Sequence, residues 1–153
     1  MNSPIGVLKL TSDEHHLKSI TFDAEYCETG SDIPDLLIMT HKQLEEYFSG
    51  IRKLFDLPVK PEGTEFQRRV WEQVAAVDYG FTKSYIGIAR DIKSEKSCRA
   101  VGMANGRNPL PIIIPCHRII GQKGKLTGYA GGLDRKKWLL LHEKQHSWNS
   151  GLF

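Results

Sequence analysis

The sequence predicts a small α/β domain followed by a mainly helical domain that carries a helix-turn-helix. Three observations predict this. Two short stretches of apolar alternation open the chain and are followed by a run with helical spacing. A proline- and glycine-marked break, Pro58-Val59-Lys60-Pro61-Glu62-Gly63, interrupts the pattern. Beyond it lie capped helical segments, two of them short and separated by a tight polar turn. A chain of 153 residues suffices for two small domains. The boundary is placed so that residues 1–62 form the first domain and 63–153 the second.

In chain order, Ile5-Gly6-Val7-Leu8-Lys9-Leu10 and Leu17-Lys18-Ser19-Ile20-Thr21-Phe22 alternate in the manner of two antiparallel strands, with a polar turn between them. Residues 23–32 read as loop. Leu36, Leu37, Leu44, Tyr47 and Phe48 then recur at roughly helical spacing up to Gly50. Residues 54–59 are short and apolar enough for another strand. Cys27 with His15, His16 or His41 fits no standard zinc spacing, so no metal is expected.

In the second part, Thr64-Glu65-Phe66-Gln67 is a capping box, and Phe66, Val70, Val74 and Val77 share a helical face that Gly80 ends. Ser84 opens a short helix to Ile92. After Lys93-Ser94-Glu95-Lys96, Ser97 is the expected cap of a second short helix, ending near Asn105 and Gly106. Ala100, Gly102 and Ala104 keep that helix thin, and Arg99 is its only long cation. Small residues there permit either tight helix packing or a close backbone approach to nucleic acid. A last helix is expected to start with Asp134 as N-cap and to hold Trp138, Leu139, Leu140, Leu141 and Glu143.

The bulk charge is only +3, but it is unevenly placed. Residues 1–65 carry 6 basic and 12 acidic side chains, while residues 83–137 carry 12 basic and 3 acidic ones. A basic second half is an electrostatic footprint for a polyanion, with nucleic acid the default partner. Three cysteines are too few and too odd in number for a disulfide framework. That points to a reducing, cytoplasmic location. No apolar run approaches the roughly 20 residues of a membrane span, and no signal peptide is read at the N-terminus.

Chemistry concentrates in Ile112-Ile113-Ile114-Pro115-Cys116-His117-Arg118-Ile119-Ile120. The isoleucine run reads as a short buried strand that delivers Cys116 past a proline of fixed φ. A lone cysteine is most often a small buried hydrophobe. This one stands beside a histidine and an arginine, between Asn108-Pro109-Leu110-Pro111 and the glycines 121, 124, 128, 131 and 132. So much turn chemistry shapes a pocket, and the thiol is a candidate nucleophile. In an extended segment neighbouring side chains point opposite ways, so a direct contact between Cys116 and His117 does not follow from their adjacency.

Arg99-Ala100-Val101-Gly102, Asn108-Pro109, Ile114-Pro115-Cys116-His117-Arg118, Gly128-Tyr129-Ala130-Gly131-Gly132, Trp138-Leu139-Leu140 and His142-Glu143 closely resemble the O6-alkylguanine-DNA alkyltransferases. The match runs from about Phe66 to Lys144. The resemblance implies a ribonuclease H-like first domain and a recognition helix lying in the minor groove. It implies DNA repair by irreversible, single-turnover transfer of an alkyl group from O6-alkylguanine in duplex DNA to Cys116, by a monomer without a cofactor.

It also implies the site residues. His117, reached through a water, activates Cys116 and is oriented by Glu143. Asn108 braces the turn. Tyr129 and the amide of Ala130 receive the flipped guanine, and Tyr85 pushes the 3′ phosphate. Arg99 fills the gap left by the base, with Ala100 and Gly102 beside it on the thin helix. Arg118 and the lysines of the basic half are expected on phosphates. Met103, Asn105 and Gly128 would wall the pocket. A binding-only module with an inert cysteine, a Cys-His hydrolase and a fragment of a transcriptional regulator are the rival readings.

Overall fold

The computed structural model describes residues 1–22, 30 and 32–147. Most of the loop expected at 23–32, Cys27, and the aromatic tail at 148–153 lie outside the described residues. The chain divides into two compact units, Met1–Glu62 and Gly63–Phe153.

The first unit holds an antiparallel sheet in the order β1 (Asn2–Ser3), β2 (Gly6–Ser12), β3 (Leu17–Phe22). Leu8 pairs with Phe22 and Leu10 with Ile20, so the alternating residues of both strands share a face. The hairpin is set by Asp13, whose Oδ1 accepts the N–H groups of His15 (2.8 Å) and His16 (2.7 Å). β1 is too short to leave a period-2 signature. Its place is fixed by Met1, whose backbone exchanges both hydrogen bonds with Leu8. Helix α1 (Asp35–Phe48) covers the sheet with Leu44 and Tyr47, both fully buried, and stops at Gly50, whose φ of +83° suits a glycine.

The strand expected at 54–59 is absent; only Val59 forms an isolated bridge, to Leu17. The reason is local. Gln43 takes both backbone groups of Asp56, accepting its N–H at 2.9 Å and donating to its carbonyl at 3.0 Å. Pro58 adds no donor to a ladder, and Leu54 stays 78% exposed.

In the second unit, α2 (Glu65–Ala75) carries the complete capping box, Thr64 Oγ1 accepting from Gln67 N–H and Gln67 Oε1 accepting from Thr64 N–H. Thr64→Ala is expected to cost about 1 kcal/mol, read as a lower midpoint in urea unfolding with unchanged helix content. Val70, Trp71 and Val74 form the buried face, and the helix ends at Ala75, before the last turn at Val77. Trp71 donates its indole N–H to Ala104 O at 2.8 Å. Gly63 makes room for that ring: a Cβ there would lie 2.5 Å from Trp71 Cη2.

Ser84 caps α3 (Tyr85–Asp91) through Gly87 N–H. Lys93, at φ +58°, and a 3-10 turn at Glu95–Ser97 lead into α4 (Cys98–Gly106). Ser97 stands at the N-cap position of α4 but does not cap it. Its hydroxyl is paired with Ser94 Oγ at 2.5 Å. β4 (Lys83–Ser84) pairs in parallel with β5 (Ile119–Ile120). α5 (Leu133–His146) closes the unit. Its N-cap position is Gly132 at φ +89°, and the expected cap Asp134 lies inside the first turn. Among the described residues, no helix is long and apolar enough to cross a membrane.

Candidate active site

The segment after α4 is organised by one side chain. Asn108, 8% exposed, donates Nδ2–H to Ile114 O at 2.7 Å and accepts Leu110 N–H on Oδ1 at 2.9 Å. Ile114 N–H returns to Leu110 O. These bonds fold 110–114 into a tight turn rather than the strand expected from the isoleucine run. Ile112 sits at φ +75°, a strained place for a β-branched residue, and is 1% exposed. Apolar runs of this length report burial without reporting conformation.

The turn delivers Cys116–Arg118 as a 3-10 turn, not an extended segment. Cys116 is 4% exposed and its carbonyl accepts Asn105 Nδ2–H at 3.2 Å. Burial pushes the thiol up to about 11, although the Asn108 side chain, the Lys136 charge and the amides of Cys116 and His117 all favour its thiolate. His117 is fully buried. Its Nε2 lies 2.8 Å from Glu143 Oε1, and its Nδ1 has no hydrogen-bond partner among the described residues. With Glu143 ionised, Nε2 carries the proton and Nδ1 presents a lone pair.

Burial would raise the Glu143 carboxyl, but His117 and Arg118 overcome it and hold the group down at about 2. Burial depresses His117 below its ordinary value. Both folded pKa values lie below their unfolded ones, so each contribution is full at higher pH and is lost on acidification. The histidine share declines below the ordinary histidine pKa of about 6.5, and the carboxylate share declines between about 4.5 and 2. Thermal midpoints are therefore expected to fall as pH drops below 6.5, with Glu143→Gln flattening the steep part below 4.5.

Arg118 was expected on phosphates, and the geometry corrects this. It is 6% exposed. Its Nε reaches Glu143 Oε2 (2.9 Å) and Oε1 (3.2 Å), its Nη2 Oε1 (2.8 Å), and its Nη1 Val77 O (2.6 Å). A guanidinium committed this way is not offered to DNA. Sequence reasoning assigned the charge by residue type, and nothing local distinguishes a buried arginine from a surface one.

Lys136 is one of the basic-half lysines expected on phosphates, and its burial corrects that as well. It is fully buried on α5, donating Nζ–H to Ile119 O (2.6 Å) and Thr127 O (2.9 Å), with Tyr85 Oη at 3.5 Å. Among the described residues its hydrogen bonds go only to neutral oxygens, and its charge lies close enough to Cys116 to bear on the thiol. Its spacing from Leu139 and Glu143 was the available signal: all three lie on the buried face of α5.

Tyr85, half-buried, also donates to Thr127 O at 3.3 Å. A Cβ on Gly102 would lie 3.9 Å from the Tyr85 ring, so the thin helix passes close to that tyrosine. Arg99 and Ala100 are exposed on α4, as is Met103 at 61%. Tyr129 is held well above the ordinary tyrosine range by burial and by the charges of Cys116 and Glu143, and stays a hydrogen-bond donor at neutral pH. Ala130 is exposed. Among the described residues no group of histidine, cysteine and carboxylate side chains could hold a metal.

Asn108 and Lys136 thus bear on the thiol, Asn105 holds the Cys116 carbonyl, and the next two residues, His117 and Arg118, share the buried Glu143 carboxylate. Two family models cover the chain. One, described as the ribonuclease-like domain of 6-O-methylguanine DNA methyltransferase, matches residues 1–61; the other, described as its DNA binding domain, matches residues 65–145. The chain is 47% identical to a methylated-DNA–protein-cysteine methyltransferase of Methanosarcina acetivorans, over 92% of this chain and 94% of that one. It is 49% identical to a constitutive enzyme of the same name from Bacillus subtilis, over 95% and 93%. Its fold is similar to the crystal structure of Mycobacterium tuberculosis OGT in complex with DNA, with a TM-score of 0.87, 42% identity, and coverage of 95% of this chain and 91% of that one.

Proposed function

The chain belongs to the 6-O-methylguanine DNA methyltransferase family and repairs alkylated DNA by moving the alkyl group to one of its own cysteines; we propose that this cysteine is Cys116 and that the residues packed around it perform the transfer. The observation that carries the assignment is the buried series Cys116, His117, Glu143, with a carboxylate 2.8 Å from one imidazole nitrogen and a lone pair on the other.

In this reading the thiol proton passes through a water to His117 Nδ1, and the imidazolium that forms is stabilised by Glu143. The thiolate attacks the alkyl carbon on O6. The sulfur–carbon bond forms as the carbon–oxygen bond breaks, and guanine leaves as an anion. Tyr129 and the amide of Ala130 stabilise that charge by hydrogen bonds, and the proton taken from the thiol ends on N1 of guanine. The product thioether is a poor leaving group, so one chain accepts one alkyl group.

DNA is the partner. Residues 1–62 act as a ribonuclease H-like scaffold and 63–153 as the DNA-binding alkyltransferase domain. We read α3, the turn after it and α4 as a helix-turn-helix whose thin second helix enters the minor groove. Arg99 occupies the space of the flipped nucleotide, Ala100 and Gly102 let the backbone approach, and Tyr85 acts on the adjoining phosphate. Flipping costs a few kcal/mol and is cheapest at a damaged pair.

The test is intact mass after mixing with a duplex containing O6-methylguanine, followed by peptide mapping. One methyl per chain on Cys116, with no further gain in excess DNA, is the expected result. DNA binding without mass gain would leave the binding-only reading standing. Methyl release with regenerated thiol would favour a hydrolase.

A further inference from the structure

The mechanism uses His117 and Glu143 and leaves Arg118 without a role. We propose that Arg118 is a positioning residue for alkyl transfer: its fork fixes the orientation of the Glu143 carboxylate, and its charge keeps His117 neutral and able to accept the Cys116 proton. The proposal rests on the reading of His117 as the base.

The geometry is specific. Glu143 Oε1 is shared between His117 Nε2 and Arg118 Nη2, each at 2.8 Å, while Oε2 faces Arg118 Nε at 2.9 Å and Gly80 N–H at 3.5 Å. The guanidinium is itself fixed at its far end by Val77 O at 2.6 Å, and its Cζ lies 5.6 Å from the centre of the Tyr79 ring. The carboxylate plane is therefore set from the side away from His117. It cannot turn without breaking bonds to a cation that is anchored elsewhere. A lysine could supply the charge but not the two parallel donors.

The charge has a separate effect. The charged groups that bear on His117 are Glu143 and Lys136 from α5 and Arg118 from its own turn; Cys116 precedes it in that turn, and Tyr79 and Tyr129 lie in the field of Glu143. Glu143 alone would pull a proton onto His117. An imidazolium present beforehand could not take the thiol proton. Arg118 lies on the same carboxylate and opposes that protonation, as Lys136 does.

Orientation and charge are separated by two variants, Arg118→Met and Arg118→Lys. The measurement is the pH dependence of the single-turnover transfer rate to an O6-methylguanine duplex, with the ¹⁵N shifts of His117 recorded in the same proteins. In Arg118→Met, the acidic limb of the profile is expected to move upward by about one pH unit or more, as for loss of one close charge, and the ¹⁵N titration of His117 is expected to move with it. In Arg118→Lys, the limb is expected to stay near its wild-type position while the plateau rate falls.

A purely structural role would lower the amount of folded protein without moving the limb or the ¹⁵N titration. That outcome in folded Arg118→Met, or a wild-type plateau per folded chain in Arg118→Lys, overturns the proposal. If Arg118→Met does not fold, the lysine variant decides alone: a wild-type plateau, or a moved limb, rejects it. His117→Gln is the control for the underlying reading. If it transfers with an unaltered profile, His117 is not the base. If it loses the acidic limb while Arg118→Met keeps the wild-type limb, only the role given to Arg118 fails.

Discussion

Cys116→Ala is expected to bind an O6-methylguanine duplex with near wild-type affinity and to gain no mass from it. Removal of a nucleophile costs on the order of 10⁶ in rate where it has been compared with the rest of a catalytic set, which places transfer below detection on any laboratory timescale. The fold should persist. The side chain is small and 4% exposed, and the turn around it is held by Asn108 and Asn105 through backbone carbonyls rather than through the sulfur. Intact mass against duplex concentration and a gel-shift titration, on the same preparation, separate the two quantities. Mass gain in the alanine variant would transfer the acceptor role to another cysteine, and loss of binding would show that the thiol supports the DNA surface.

Glu143→Ala is expected to lose on both stability and chemistry. Glu143 is 1% exposed and answers Arg118 and His117 at once. Deleting it leaves a buried guanidinium without its counter-charge, which costs about 3–5 kcal/mol. It also releases Nε2 of His117, so that either nitrogen can carry the proton, and a misassigned tautomer costs about 10²–10⁴ in rate. Glu143→Gln should show the second effect with less of the first, because an amide retains the shape and one acceptor. Calorimetry on both variants, beside single-turnover rates at neutral pH, checks the ordering. An alanine variant as stable as wild type would mean that Arg118 finds another partner.

What the sequence disclosed depended on how far apart the interacting groups lie. The capping box at Thr64 and the cap at Ser84 were legible because donor and acceptor are three residues apart, and their chemistry is contained in the local spelling. The two-strand hairpin and α1 were legible from period. The Cys116–His117–Glu143 series was reached through the family resemblance, and the geometry joins His117 to Glu143.

The expectations that failed lie where another side chain, near or far in sequence, competes for the groups a local pattern needs. Gln43 takes the backbone groups of Asp56 and removes a strand. Asn108 bends an isoleucine run into a turn. Ser94 draws Ser97 away from its cap. Arg118 and Lys136 were misread for a different reason: a cation in sequence is assigned to solvent by default, and only the tertiary fold shows that it is enclosed.

The carboxylate at the centre of the site also says when in the life of the chain reactivity can begin. Its bonds reach 26 residues back to His117, 25 to Arg118 and 63 to Gly80, and Arg118 reaches 41 back to Val77. Closures of that length come late, after capped helices such as α2 and α3 have formed from local contacts. A nascent chain that has emerged only as far as Cys116 holds the thiol but not the carboxylate. On the proposed role of Glu143, a chain that can react only once acquires its reactivity near the end of folding, when α5 docks.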